Sequence, residues 1–392
     1  MQNKIPHINP SITFNKLNDK EFILCNTLHK HYLKINKDTY DLLSLIDNER
    51  SLQEICELHN QQSEKEVTVN ALHFLLYNKL SKYGLLVGEE EQIKPYQKPS
   101  YLKLSFIIFS KRFIAKITPS LHFLFRKKIA WLILFVCTMV IGTELYLLLD
   151  GYKSFKVQES VIFFLVVMAI SVTFHELGHA TAASHFGAEH GGIGGGFYLF
   201  TPVYFADVTD VWRLKKWQRV VVNCAGMYFE IIFCTLLSLV GLLLGQISLT
   251  LIAIIVCLHT FFNLNPFLRS DGYWILSDIT NKPNLLQHSF RKIGDIFRMI
   301  KGKKVQWTKI DFLLLVYGLI SYSFIVLFVY YVLFKNPHSI LNFPQNLYHF
   351  LKSLWDKNAT ISLVSFGELI VPMLFFYLLF SFLKSILRKK KI

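Results

Sequence analysis

Ten consecutive residues, Val161 to Ile170, are aliphatic, aromatic or methionine, and the run leads directly into Thr173-Phe174-His175-Glu176-Leu177-Gly178-His179. Two demands collide there. The stretch from Val161 to about Ser184 is long enough to cross a bilayer as a helix. Yet a charged side chain at the bilayer centre costs roughly 2.5–3.5 kcal/mol on insertion scales, and three ionisable groups fall within five residues. The spacing shows what offsets that cost. On a helix, His175 and His179 share a face, so both imidazoles reach one ion. Glu176 is rotated by about 100° and points beside that ion, where it can take a proton from a bound water. Two neutral imidazoles and an open position suit Zn2+, which hydrolytic sites hold with about three protein ligands and water. A chance match to a three-letter pattern would leave the buried polar groups unexplained.

The rest of the chain shares this apolar character. Of its 392 residues 52% are hydrophobic, with 35 Phe, which points to a multi-span membrane protein. The first residues contain no apolar h-region, so no cleavable signal peptide is expected. Six cysteines are scattered without a C-x-x-C, which suggests neither a disulfide framework nor a thiolate zinc site. They read as small apolar fillers. The formal charge of +15 is uneven: residues 1–95 carry about −2 and the remainder +17. A nucleic-acid partner would want the charge on the soluble part. It lies instead around the membrane segments, where basic loops set orientation.

Six spans are predicted: Ile129–Leu149, Val161 to about Ser184, Val220–Gly245, Leu249 to about Phe262, Phe312–Phe334 and Ser362–Ile386. Arg126-Lys127-Lys128, the group Arg213, Lys215, Lys216 and Arg219, eight Lys/Arg in 281–310, and Arg388-Lys389-Lys390-Lys391 mark the cytoplasmic side. Lys153 and Lys156 are the only bases in the first outer loop. Both termini are then cytoplasmic, and lipid surrounds the spans. The histidines fall in the inner half of the second span, and Asp271 falls at the inner end of the fourth. Pro266 interrupts the helix before Asp271, and Gly272 permits close approach. Asp271 is therefore the preferred third ligand. Pairing with Arg269 or capping the segment from Gly272 is the competing role for it, and Asp207, Asp210 and His185 are lesser candidates. His259 reads as a hydrogen-bonded packing residue, Glu144 and Glu368 as single acids without a visible partner. Glu230 reads as a hydrogen-bonding group near the site.

Residues 1–95 form a separate front domain. Glu21–Asn26 and His31–Asn36 flank a polar turn and predict a hairpin. Asp38 is placed to cap a first helix. Ser51 and Glu54 have capping-box spacing before a second. A third runs from about Glu64 to Lys82, and Tyr83-Gly84-Leu85-Leu86-Val87 gives a helix stop and a short strand. Hairpin, three helices and strand make a winged-helix-like α/β unit. Glu89-Glu90-Glu91, Pro95 and Pro99 make a solvated linker. Within 96–128, Ser105–Phe125 reads as an amphipathic helix along the interface, with a plain surface linker as the competing reading. Six glycines occur between Gly187 and Gly196, and Phe197–Val208 reads as a hairpin or re-entrant strand, allowed at membrane depth only where protein or water satisfies it.

The pairing of His175-Glu176-Leu177-Gly178-His179 in one span with Asn265-Pro266 and Asp271-Gly272 after a later one resembles the site-2 protease family, the intramembrane zinc metalloproteases. The resemblance covers about residues 160–280 and implies a fold in residues 129–392 built around the site. It implies that His175, His179 and Asp271 hold one Zn2+, that Glu176 is the catalytic base, and that Asn265 helps hold substrate or the oxyanion. Leu268 stands where the family carries a second proline. The element order of residues 1–95 resembles the PqqD-like peptide-recognition domains of enzymes that modify ribosomally made peptides. That implies a leader peptide added as a strand beside the hairpin. A generic winged helix binding nucleic acid or another subunit is the alternative, and the near-neutral charge argues against nucleic acid. Together the resemblances imply an endopeptidase that cleaves a peptide precursor in the bacterial cytoplasmic membrane, with an exporter as a further partner. Cleavage of a membrane-bound signalling protein is a second reading. A zinc-bearing exporter or immunity protein without enzymatic activity is a third.

Overall fold

The structure, a computed structural model, describes residues 3–63, 66–88, 93, 103–151, 161–198, 201–267, 269–282, 284–302, 304–305, 307–353, 369 and 371–380. The Glu89–Glu91 linker, Pro95, Pro99, Lys153, Lys156, Leu268, Glu368 and the basic C-terminal run lie outside them. The fold is mainly helical. Among the described residues, four helices are long and apolar enough to cross a membrane: Lys127–Leu147, Phe163–His185, Lys216–Leu243 and Lys309–Lys335. The expected fourth span is a helix of 16 residues, Ile247–Phe262, about 24 Å at 1.5 Å per residue against a hydrocarbon core of about 30 Å. Of the expected sixth span only residue 369 and Val371–Phe380 are described, the latter a short apolar helix.

The chain divides into two compact units, one of Met1–Ser100, Ser105–Gly195 and Tyr204–Asn281, the other of Tyr101–Leu104, Gly196–Val203 and Lys282–Ile392. The front domain thus belongs to the same unit as the first apolar helices.

In the front domain, strands β1 (Ile12–Asn18), β2 (Glu21–Asn26) and β3 (His31–Asn36) form an antiparallel sheet in that order. The expected hairpin is β2–β3, with Leu24 opposite Leu33. β1, which pairs Phe14 with Leu24, was not expected. Helix α1 (Lys37–Ser44) is capped by Asn36 and not by Asp38. The Asn36 side chain accepts from Thr39 N, and Asp38 sits in the first turn, where its charge faces the positive helix end. Helix α2 (Leu52–Gln62) carries the expected Ser51–Glu54 capping box. Helix α3 (Val69–His73) starts at a Thr68 cap, later than expected, because Asn60 ties Val67 by its N–H and its carbonyl. It continues as π-helical turns over Phe74–Leu80 and ends at Gly84, whose φ of 73° only glycine adopts freely. The expected last strand reduces to a single bridge between Ile8 and Leu86. Leu24, Leu43, Leu52, Ile55, Leu72, Leu76 and Leu85 fill the core.

Residues 105–125 do not form one interfacial helix. Strand β4 (Lys103–Phe109) takes the first part, and helix α4 (Lys111–Leu121), capped by Ser110, takes the second. The aromatic and β-branched run Phe106–Phe109 favours a strand. The glycine-rich stretch beyond the histidines explains the pairing. A Cβ at Gly192 would stand 2.3 Å from the Phe109 carbonyl oxygen, and one at Gly194 2.3 Å from that of Phe106. Strands β5 (Ile193–Tyr198) and β6 (Thr201–Ala206) extend the sheet in the order β4-β5-β6. Helix α4 packs inward, burying Ile114 against Ala180 and Ile193.

Helices α5 (Lys127–Gly151), α6 (Val161–His185), α7 (Lys216–Leu243), α8 (Ile247–Phe262) and α9 (Asp271–Thr280) build the apolar body. α7 is central and packs on the other four. Its backbone touches that of α6, since a Cβ at Gly178 would lie 2.3 Å from the Ala225 carbonyl oxygen. Arg213, Lys215, Lys216 and Arg219 do not form one loop: α7 begins at Lys216, and Arg219 is buried within it. In the second unit, helices α10 (Leu285–Ile300) and α11 (Lys309–Tyr330) pack together, with Lys292 paired to Asp311 at 2.9 Å. Helices α12 (His338–Leu341) and α13 (Phe343–Ser353) follow.

Candidate metal centre

His175 and His179 lie one turn apart on α6, both at least nine-tenths buried, with their Nε2 atoms 3.2 Å apart. Each ring is fixed from behind. His179 Nδ1 lies 2.7 Å from the Val222 carbonyl oxygen, and His175 Nδ1 lies 2.9 Å from Glu230 Oε2. A carbonyl oxygen only accepts, so His179 Nδ1 carries the proton and donates it. The Glu230 carboxylate imposes the same tautomer on His175. Both Nε2 atoms therefore present lone pairs to a common point. Asp271 joins them, with Oδ2 at 2.9 Å from His175 Nε2 and Oδ1 at 3.4 Å from His179 Nε2. Buried Oδ2 makes no hydrogen bond there.

Three ligand atoms, one from each residue, thus lie within 4.8 Å of one another, and with the protons on Nδ1 both imidazoles offer lone pairs there. A buried cation satisfies that arrangement, and two imidazoles with a carboxylate are a zinc donor set. Space is kept by Gly226 of α7, where a Cβ would stand 2.4 Å from His179 Nε2 and 2.6 Å from His175 Nε2. The residues present fit Zn2+.

One helix organises the group. Along α7, Arg219, Asn223, Gly226 and Glu230 recur every three or four residues, one face of a helix, with Val222 beside them. Val222 and Glu230 hold the rings. Arg219 Nε and Asn223 Nδ2 donate to the Asp278 carboxylate at 2.6 and 2.9 Å. Asp278 lies near the end of α9, and Asp271 begins that helix, so the Arg219–Asn223 pair fixes the element that presents the carboxylate. At the other end, Gly272 N donates to Asn263 O, and a Cβ at Gly272 would meet Leu264 O at 2.1 Å. Glu230 is itself 1% exposed and takes a second hydrogen bond from Ser171.

Glu176, 8% exposed, lies beside the histidines, and the Ala206 backbone amide at the end of β6 faces its carboxylate. Asn265 turns its side-chain oxygen to the Phe267 N–H in a tight turn before α9. The other acids named from the sequence stand elsewhere. Asp207 pairs with Lys30 and Thr209, and Asp210 with Tyr32 and Arg213. His185 stacks on Phe125. His259 is exposed on α8 rather than hydrogen-bonded in the interior. Glu144 has a partner after all, the Ser238 hydroxyl. Asp271 is not the N-cap of α9; Ser270 holds that position and Asp271 stands in the first turn. Sequence reasoning missed Val222, Ser171 and the Arg219–Asp278 pair. The recurrence of polar or small residues along an apolar helix was the signal for Arg219. Nothing in a sequence marks the Val222 carbonyl.

No protein-family model and no solved structure matches the chain. Over 206 residues it is 25% identical to a Bacillus subtilis protein named "Putative peptide zinc metalloprotease protein YydH", an alignment covering 50% of this chain and 79% of that protein. A distant relative thus bears the name of a zinc peptidase, and among the described residues His175, His179 and Asp271 form a cluster that could hold a metal ion.

Proposed function

We propose that the chain is an intramembrane zinc metalloendopeptidase of the site-2 protease type, which cleaves a peptide precursor at the membrane. The carrying observation is the convergence of His175 Nε2, His179 Nε2 and Asp271, with both Nδ1 protons already committed. When bound, Zn2+ supplies a Lewis acid and brings the pKa of its water toward about 7. The residues of the chain do the rest. Glu230 and Val222 keep the two rings in the tautomer that leaves Nε2 free. Glu176 accepts the proton of the attacking water on its carboxylate and returns it to the nitrogen of the leaving amine. The turn at Asn265 ties down Oδ1, which leaves Nδ2 as the donor for the carbonyl oxygen of the scissile bond. A cleaved backbone must be extended, and the Tyr204–Ala206 end of β6 lies alongside Glu176 to receive it.

The wider reading keeps six spans with both termini cytoplasmic, and a front domain that receives the leader of a ribosomally made peptide. Residues 1–88 belong to the same compact unit as the site-bearing helices, and leader-peptide binding to them separates this reading from a signalling protease. Glu176→Gln is the decisive variant. In membranes incubated with a proteome-derived peptide library and read by mass spectrometry, it should retain zinc and lose cleavage by at least about a hundredfold. Equal cleavage by variant and wild type would end the protease reading.

A further inference from the structure

Among the described residues, polar contacts join the front domain to the rest of the unit at two places near the site, just beyond the end of β6 and at the C-terminal end of α9. Lys30 Nζ lies 2.8 Å from Asp207 Oδ2, Tyr32 OH donates to Asp210 Oδ1 at 2.8 Å, and Asn281 Nδ2 donates to Glu21 Oε2 at 3.2 Å. Asp207 directly follows Ala206, whose amide faces Glu176. Its backbone carbonyl accepts from Gly191 N at 2.6 Å. Buried Asp210 accepts from Glu189 N and pairs with Arg213, both at 2.7 Å. These two acids therefore close the base of the β5–β6 segment and receive the front domain at the same time. Asn281 is the left-handed C-cap of α9, the helix that starts at Asp271. Burial, together with the bond to Asp210, pushes the Tyr32 phenol above its ordinary pKa, so it stays a donor throughout the neutral range.

We infer that the β2–β3 hairpin of the front domain is a positioning part of the catalytic site: Lys30 and Tyr32 hold the segment that places Ala206 beside Glu176, and Glu21 steadies the helix that carries Asp271. The inference rests on the metalloprotease reading and differs from leader recognition. A recognition domain acts only through substrate residues remote from the cut. A positioning domain also governs turnover of peptides too short to reach it.

The test uses the full chain in membranes and the best-cleaved peptide of the library, trimmed to the residues around its cut bond. The double variant Lys30→Glu with Tyr32→Phe should lower kcat on the trimmed peptide by about tenfold to a hundredfold, the scale of a small misplacement at a reacting centre. Zinc content and KM should change less than about twofold, since no ligand is touched. Hydrogen exchange of residues 204–213 should accelerate, and Lys30→Arg, which keeps the charge, should leave kcat and exchange as in wild type. Unchanged kcat on the trimmed peptide, or a rise in KM alone, would overturn the inference, as would unchanged exchange at 204–213. If the wild type holds no zinc and cleaves nothing, the protease reading fails separately, and exchange alone decides whether the hairpin holds the segment.

Discussion

Gly226 shows how much rests on one missing methyl group. Its Cα stands where any side chain would enter the space shared by the two Nε2 atoms. Gly226→Ala should abolish zinc retention while leaving a membrane-inserted helical protein, checked by metal analysis and circular dichroism of the purified chain. Glu230 acts at one remove. It orients His175 and fixes its proton, the kind of outer partner whose loss costs about 10–100-fold in metal affinity. Glu230→Gln should fall in that range by competition with a chelator, and a value equal to wild type would remove it from the site. At this scale the sequence was informative where chemistry is local. The His175–His179 pair and the place of Glu176 beside it follow from helix geometry. The choice of Asp271 over Asp207 and Asp210 rested on Pro266, Gly272 and an estimate of depth, and the contact distances are what separate the three acids.

At the scale of elements, α7 is the part that holds the centre together. Four of its turns reach in succession the far end of α9, the ring of His179, the gap between the rings and the ring of His175. The Arg219–Asp278 pair, with both side chains under a tenth exposed, is therefore a strut between the helix that orients the histidines and the helix that carries Asp271. Removing one partner leaves a buried charge without its counterpart, at a cost of about 3–5 kcal/mol. Asp278→Ala should lower the unfolding temperature and weaken zinc binding together. Arg219→Met with Asp278→Leu should recover much of the stability, because two apolar groups need no partner. The sequence placed α7 as a span and marked Asn223, Gly226 and Glu230 in it. It assigned Arg219 to a cytoplasmic loop because a base next to an apolar run ordinarily marks the boundary. The buried carboxylate 59 residues downstream reverses that reading. Residues 105–109 went astray for a similar reason: their strand depends on the close approach of the Phe109 and Phe106 carbonyls to Gly192 and Gly194, far along the chain.

At the scale of the molecule, the question is how the front domain is held. Lys30 is about half exposed, so its ion pair with Asp207 alone is weak and screened by salt. Burial raises the pKa of Asp207, but the Lys30 and Thr209 bonds outweigh it and hold the carboxyl below its ordinary value. A folded-state pKa below the unfolded one gives stability that is present above the unfolded value, about 3.9, and is lost as pH falls through the folded one. After correction for the intrinsic pH dependence of exchange, protection at residues 204–213 should stay level from pH 8 to about pH 5 and fall only below about pH 4. A loss of protection between pH 6 and 8 would mean that another group controls the docking.

The sequence by itself determined apolar helices long enough to cross a membrane, a paired-imidazole turn, a neighbouring carboxylate, a mixed front domain and a downstream acid beside a helix break. Those features follow from hydropathy, from the period of a helix and from turn chemistry, all of which act within a few residues. Tertiary structure decided which acid faces the rings, which proton each imidazole keeps, why no side chain is tolerated at Gly226, and where the front hairpin rests. Each of these depends on how helices and strands far apart in the chain are rotated and seated against one another. A shift of one residue along α7 would exchange Gly226 for a side chain, and no local propensity records that register.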